Sequence, residues 1–273
     1  MKKTFEYVGL FVLVAFSFYY TERVVQMVNF NDPLMEEISE YAKTVNKSCV
    51  EGYVAEDGIV LGVNGLLVDE DKSYKNMKGF GFSEDLVVFK EDVCSINNEE
   101  FNDKYIIKGN ESSNSVSIIV LVNDGSLLES FVSIAKINDV KLTFAVSGSV
   151  VETYKTFFEK YILDGHTLVY SGNDETDLKK FISIIKDLNK KQTLYCLNAN
   201  NYDIREICKK EKINTIKSEY IYYKNILVNT KQTLQKGNIY IYKEHKNVYE
   251  EFSTTIKHIK GKGIKIKTIE EII

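Results

Sequence analysis

Carboxylate, amide, hydroxyl and ammonium side chains stand directly after several short apolar segments in the second half of the chain. Carboxylates are good ligands for divalent metals, whereas amides, hydroxyls and ammonium groups hold polar ligands by hydrogen bonds. The sequence therefore offers one candidate groove for either a metal or a polar ligand. Its members are Asn123, Asp124, Ser171, Asn198 and Lys243.

The four cysteines do not have the spacing of a metal site, because the chain contains no C-x-x-C pair. Cys49 and Cys94 flank a stretch of β-forming residues, and we expect a disulfide between them. In contrast, Cys196 follows an apolar triplet and Cys208 lies on a predicted helix. Both are expected to be buried free thiols.

From residue 116 onwards, short apolar runs alternate with segments that have helical spacing. The run 116–122 is almost continuously apolar, as in a strand that is covered on both faces. Strands that alternate with helices pair in parallel through right-handed crossovers, and six or seven such units predict a small, incomplete (β/α) barrel. The carboxyl ends of its strands would meet at one edge, called the rim below, where the candidate residues would gather.

Four segments of this region resemble motifs of the NodB-homology family, the polysaccharide deacetylases. Ile118–Gly125 (IIVLVNDG) is similar to the family's strand that ends in T-F-D-D-G, and Lys141–Gly148 (KLTFAVSG) is similar to its next strand. Asp164–Leu168 resembles its N-G-H-E-I segment. Gly237–Tyr242 with Ile256–Ile273 resembles its closing strand, helix and C-terminus. The resemblance covers 116–273 and implies a NodB-like distorted (β/α) barrel.

The family removes acetyl groups from glycans with a divalent metal that is held by one Asp and two His, and a second Asp acts as the base. In this chain the ligand Asp corresponds to Asp124, but the base position is Asn123. Ser171 and Glu175 stand where the two His are expected, and Lys243 occupies the position of the general acid. The resemblance therefore implies the fold without its chemistry, and no cofactor is expected.

Two explanations account for the presence of Asp124 at this position. Its carboxylate could pair with the ammonium group of Lys243 in place of the missing cation, or it could simply hold the turn with Gly125. The alternative function is a divergent deacetylase that binds zinc or cobalt through Asp124 and Glu175. A third possibility is that the segment before the barrel carries the function and the barrel supports it.

The N-terminus predicts attachment to a membrane. Lys2 and Lys3 precede an uncharged stretch over 7–21, and Glu22 and Arg23 end it. We expect an uncleaved signal-anchor, with the C-terminal part on the outer side of the cell membrane; a cleaved signal peptide and a buried core helix are the alternatives. The expected partners are the membrane and a surface glycan.

Composition and charge support a folded, multi-part protein. The 273 residues are 44% hydrophobic and carry a net charge of −4, which is too small to indicate nucleic-acid binding. Residues 1–115 contain 11 Lys+Arg and 20 Asp+Glu, whereas the rest contains 24 and 19. We therefore predict a transmembrane segment (1–23), a stalk helix (24–48), a small acidic β-rich domain (49–115) and the NodB-like domain (116–273).

Overall fold

The computed structural model describes residues 11–20, 32–96, 103–188, 192–199 and 203–273. The chain divides into two compact units, each built from two stretches of sequence. The first unit comprises Met1–Cys49 and Asn64–Val93, and the second comprises Val50–Val63 and Cys94–Ile273.

The N-terminal unit packs two helices over a two-stranded sheet. Asp32 caps the first helix by accepting a hydrogen bond from the backbone N–H of Leu34, and Pro33 occupies the first turn, where no N–H is needed. The predicted stalk helix is therefore shorter than 24–48, and its apolar face is part of a packed core with Tyr74 and Met77. The elements are α2 (Pro33–Val45), β3 (Gly65–Val68), α3 (Glu70–Met77) and β4 (Phe89–Asp92).

Part of the predicted signal-anchor is described by the structure. Residues 11–20 are helical (α1), whereas 1–10 and 21–23 lie outside the described residues. Within the described part of the chain, no helix has the length and apolar character that crossing a membrane requires.

The second unit is built on one long curved sheet of eleven strands. Its central strands are buried along their whole length, which explains why their sequences are almost continuously apolar. The strands are β1 (Tyr53–Val54), β2 (Ile59–Val60), β5 (Tyr105–Lys108), β6 (Ser115–Leu121), β7 (Thr143–Val146), β8 (Thr167–Tyr170), β9 (Tyr195–Leu197), β10 (Asn214–Ile216), β11 (Tyr220–Tyr222), β12 (Ile239–Lys243) and β13 (Lys265–Lys267).

The strand order is β1-β2-β5-β10-β9-β8-β7-β6-β12-β11, and β13 pairs with the beginning of β6. All pairs are parallel except β1 with β2. The predicted incomplete parallel barrel is confirmed, because the sheet curls around an inner core and its first and last strands do not pair with each other.

Helices cover the outer face of this sheet and enclose the larger of two apolar layers. Phe131, Phe181 and Phe252 are fully buried in the outer layer, whereas Leu121, Ala145 and other alternate strand residues fill the inner layer. The helices of the outer face are α4 (Leu128–Ile137), α5 (Gly148–Thr153), α6 (Lys155–Leu163), α7 (Glu175–Leu188), α8 (Arg205–Lys210), α9 (Ile226–Thr233) and α10 (Lys246–Gly261). The short α11 (Ile269–Ile272) instead adds Ile269 and Ile272 to the inner layer.

The division of the chain differs from the predicted boundary at residue 115. The strands β1, β2 and β5 come from the stretch that was expected to form a separate β-rich domain, yet they extend the barrel sheet. The cause is a long-range pairing, since β5 lies parallel to β10 more than 100 residues later in the chain.

The prediction that Cys196 and Cys208 are free thiols was wrong. Their sulfur atoms form a disulfide of 2.01 Å, which ties the end of β9 to α8. Cys49 and Cys94 are also disulfide-bonded, so no cysteine is free. Both Cys196 and Cys208 are completely buried, and burial alone does not distinguish a thiol from a disulfide.

His166, from the segment that resembles the family's G-H-E-I motif, has a structural role. It is 5% exposed, and its Nδ1 accepts a hydrogen bond of 3.0 Å from the backbone N–H of Leu142. Burial, and to a smaller extent the nearby Lys141, lowers the pKa of His166 to about 4. The imidazole is therefore neutral in the folded protein.

This shift predicts a loss of stability between pH 6.5 and pH 4. In that window the unfolded chain binds a proton at His166 and the folded chain does not, which removes on the order of 3 kcal/mol as the pH falls. Urea unfolding across the window should show this slope in the wild type and a shallower one in His166→Asn. Most of the slope should persist in His258→Asn, because that imidazole is less buried, and a wild-type slope in His166→Asn would contradict the assignment.

Candidate functional site

The rim of the barrel collects the predicted site residues because the strand ends are in register. Leu121 pairs with Ala145 and with Lys243, and Val146 pairs with Tyr170. The loops that follow β6, β8, β9 and β12 therefore start side by side. Asn123, Ser171, Asn198 and Lys243 all lie at this edge of the sheet.

A residue that sequence reasoning missed, Glu244, organises the rim. Its side chain is 6% exposed and lies directly after β12. One carboxylate oxygen, Oε2, accepts hydrogen bonds from the backbone N–H groups of Asn123 (2.8 Å), Asp124 (3.2 Å) and Gly125 (3.0 Å). The other, Oε1, accepts from Leu127 N–H at 2.7 Å. A buried carboxylate thus satisfies four donors of the loop between β6 and α4.

Asn123 belongs to the same arrangement. Its side-chain Nδ2 donates to the backbone carbonyl of Glu244 at 3.1 Å, so the residue at the base position acts as a hydrogen-bond donor. A neutral amide has no appreciable basicity at neutral pH. The side chain nevertheless remains exposed at the mouth of the barrel.

Asp124, the one retained ligand position, is exposed and stabilises a turn. Its Oδ1 accepts a hydrogen bond of 2.9 Å from the backbone N–H of Ser126, and this bond lowers the pKa of the carboxyl group. The following Gly125 has a φ of +82°, and a Cβ there would lie 2.5 Å from the Tyr154 ring. Asp124 and Gly125 therefore form a tight turn.

The predicted ion pair between Asp124 and Lys243 does not form: no contact within 4.0 Å joins these two described residues. The Asx-type hydrogen bond to Ser126 orients the carboxylate locally instead. Lys243 is half-buried at the end of β12. The turn-holding explanation is the one that the geometry supports.

Glu175 forms ion pairs with two lysines. As the first residue of α7, it accepts from Lys179 Nζ at 2.7 Å and from Lys210 Nζ at 3.3 Å. These hydrogen bonds and charges lower the pKa of its carboxyl group. Ser171, four residues earlier, is buried and donates its backbone N–H to Val146.

Asn198 also has a structural partner, since its Nδ2 donates to the hydroxyl of Tyr105 at 3.1 Å.

Like Glu244, Asp177 accepts hydrogen bonds from a neighbouring loop. Its carboxylate accepts from the backbone N–H groups of Gly148 (2.7 Å) and Ser149 (2.9 Å) at the start of α5. The loops after β7 and β8 are thereby tied together without a ligand.

These residues do not fit the metal that the family resemblance implies. One Asp and two imidazoles are expected, yet the corresponding side chains are an exposed Asp, a serine and a glutamate in two ion pairs. Among the residues that the structure describes, no three His, Cys, Asp or Glu side chains converge at the rim closely enough to share an ion.

The architecture is that of a NodB-type barrel with a rearranged rim, and comparison with solved structures agrees. The chain is similar to wild-type BA3943, a CE4 family pseudoenzyme from Bacillus anthracis, with 21% identity and a TM-score of 0.64 over 89% of this chain and 95% of that one. A BA3943 mutant with restored enzymatic activity matches with the same identity and TM-score, over 88% and 98% of the two chains.

Two further solved structures match a smaller part of the chain. The Bc1960 peptidoglycan N-acetylglucosamine deacetylase has 13% identity and a TM-score of 0.54 over 62% of this chain and 92% of its own. PdaA of Bacillus subtilis, a family 4 carbohydrate esterase, has 14% identity and a TM-score of 0.51 over 62% and 84%. The predicted resemblance to polysaccharide deacetylases is thus confirmed in the fold.

No family model matches the sequence. No curated protein matches it either.

Glu244 should matter far more for stability than Asp124. Glu244→Gln replaces a charged acceptor by an amide that cannot satisfy four donors, and we expect it to lower the free energy of unfolding by about 2–4 kcal/mol. Asp124→Ala, at an exposed turn, should cost much less. Glu250→Gln on the exposed face of α10 is the matched control. Equal urea midpoints for Glu244→Gln and Glu250→Gln would contradict the role of Glu244.

Proposed function

We propose that this chain is a polysaccharide-deacetylase homologue that has lost catalysis and binds a glycan at the cell surface. The observation that carries the proposal is that polar groups at the rim are already bonded to other groups of the protein. Asn123 donates to a carbonyl, Asp124 holds a turn, and Glu175 pairs with two lysines. Each of these three groups thus has a partner within the protein, and none of the three is an imidazole.

The mouth of the barrel remains suitable for a polar ligand. Asn123 is exposed there. Lys243 is half-buried, and its ammonium group forms no ion pair within 4.0 Å with a described carboxylate. Below them lies the apolar inner layer that includes Leu121, Ala145 and Ile241. An ammonium group and an amide above an apolar floor suit a sugar ring with an acidic or acetamido substituent.

Metal content and acetate release test the loss of catalysis. The full-length protein, dialysed against zinc and then against buffer, should retain far less than one zinc per chain. Its acetate release from N-acetylated oligosaccharides should equal that of Asp124→Ala, because Asp124 holds a turn and no metal.

Stoichiometric zinc or cobalt that is lost in Asp124→Ala would instead establish the divergent deacetylase. A glycan array provides the second arm, in which Lys243→Gln should weaken capture by about tenfold, equivalent to 1.4 kcal/mol. Lys186→Gln, on the exposed surface of α7, is the matched control. If no glycan is captured, or if both variants behave alike, binding at the rim is refuted.

We also propose that the protein is anchored in the cell membrane by its N-terminal segment, with both units on the outer side. The apolar stretch over 7–21 and the preceding lysines support this orientation. The disulfide between Cys196 and Cys208 supports exposure to an oxidising compartment, since such bonds are rare in reducing cytoplasm.

Fractionation of cells with thiols blocked at lysis tests both parts of this proposal. The full chain should remain in the membrane pellet after an alkaline wash, and it should contain no free thiol until it is reduced. A version that lacks residues 1–23, and with them the proposed export signal, should be found in the soluble fraction with reduced cysteines. Free thiols in the full-length protein would contradict export.

A further inference from the structure

A groove lies at the end of the barrel opposite the rim, next to the last strand. The strand β13 pairs with the beginning of β6, where Lys265 and Lys267 lie opposite Ser115 and Ser117. The turn between α4 and β7 forms the other wall. The groove, called the basic groove below, is lined by Asp139, Val140, Lys260, Gly263, Ile264, Lys265, Ile266 and Lys267.

The C-terminal segment that forms one wall of this groove is rich in lysine and contains no acidic residue. Between Glu251 and Glu270 the chain contains five lysines and no Asp or Glu. Three of these lysines, Lys260, Lys265 and Lys267, line the groove, and Asp139 is the one acidic residue of its lining.

The lysines of the groove form no ion pair with the acidic residues that the structure describes. Eight ion pairs join described residues, and none of them uses a lysine between 257 and 267. Lys260 instead donates its Nζ to the carbonyl oxygen of Asn138 at 2.7 Å, which fixes this ammonium group at the wall. Lys265 and Lys267, two residues apart on a strand, point to the same side.

More positive charge lies near the end of α10. Burial and the charges of Lys231 and Lys262 lower the pKa of His258, so both ammonium groups act on this part of the helix. The segment Gly261–Gly263 ends α10, with Gly263 at a φ of +74°. It places the exposed Lys262 beside β13.

The geometry points to a binding site for an extended polyanion that carries phosphate groups. We propose that such a chain lies along the basic groove, with its charges on Lys260, Lys265 and Lys267. The ammonium groups are distributed along the groove, which suits repeated charges better than one compact ion. The two walls suit a linear polymer better than a membrane plane.

Fluorescence anisotropy with end-labelled linear polyphosphate tests this proposal on the full-length protein. Lys265→Gln with Lys267→Gln should raise Kd about tenfold and reduce the slope of log K against log salt by on the order of one per lysine. Asp139→Asn should lower Kd, since it removes the groove's acid. Asn also tolerates the positive φ of +50° at this position.

The control is Lys155→Gln with Lys186→Gln, which removes the same charge from exposed positions on α6 and α7 outside the groove. Equal Kd values for the two double variants would overturn the proposal, as would binding to phosphatidylglycerol vesicles without binding to polyphosphate. If the double groove variant fails to fold by circular dichroism, Asp139→Asn decides, and an unchanged Kd overturns the proposal. None of these substitutions is at the rim, so the outcome is independent of glycan binding there.

Discussion

The rim depends on one buried carboxylate, that of Glu244. The loop between β6 and α4 turns sharply and directs four backbone N–H groups inwards, where they would be costly if left without acceptors. Glu244 satisfies all four from the end of the neighbouring strand β12. Because this acceptor is part of the chain, the four N–H groups of the loop are satisfied independently of any bound metal.

Because the loop needs no metal to satisfy its N–H groups, the deacetylase-like fold is kept although the residues at its catalytic positions differ. A second carboxylate, on Asp177, does the same for the N–H groups of Gly148 and Ser149. The residues that stabilise the fold at this edge of the sheet are thus different from those at the positions that correspond to catalytic residues. Structural similarity at 21% identity accordingly establishes the barrel, whereas the activity has to be judged from the side chains.

The sequence predicted the barrel well where strands are long and apolar. The run around β6 was found because continuous apolar segments bounded by turns have few alternatives. The strands β10 and β11 were missed, since three residues such as Asn-Thr-Ile have no recognisable period. The parallel pairing of β5 with β10 was missed because it depends on which distant segments become neighbours. The disulfide between Cys196 and Cys208 was missed because burial is equally compatible with free thiols.

The candidate site was predicted in position but not in its contacts. Adjacent strand ends follow from parallel topology, so Asn123, Ser171 and Lys243 could be assigned to one rim from sequence alone. The hydrogen-bond partner of each side chain could not be assigned from sequence, because a hydrogen bond depends on the distance and the angle between donor and acceptor. Asp124 therefore bonds to Ser126 two residues away, rather than to the lysine across the rim.

The position of Asn123 shows why one substitution would not restore the chemistry. Its Nδ2 donates to the carbonyl oxygen of Glu244, and its own backbone N–H donates to the carboxylate of that residue. An ionised Asp at this position could not donate, and it would place a negative charge beside the Glu244 carbonyl and carboxylate oxygens. The same loop geometry that keeps the rim intact thus disfavours a proton acceptor at the position where the deacetylase mechanism needs one.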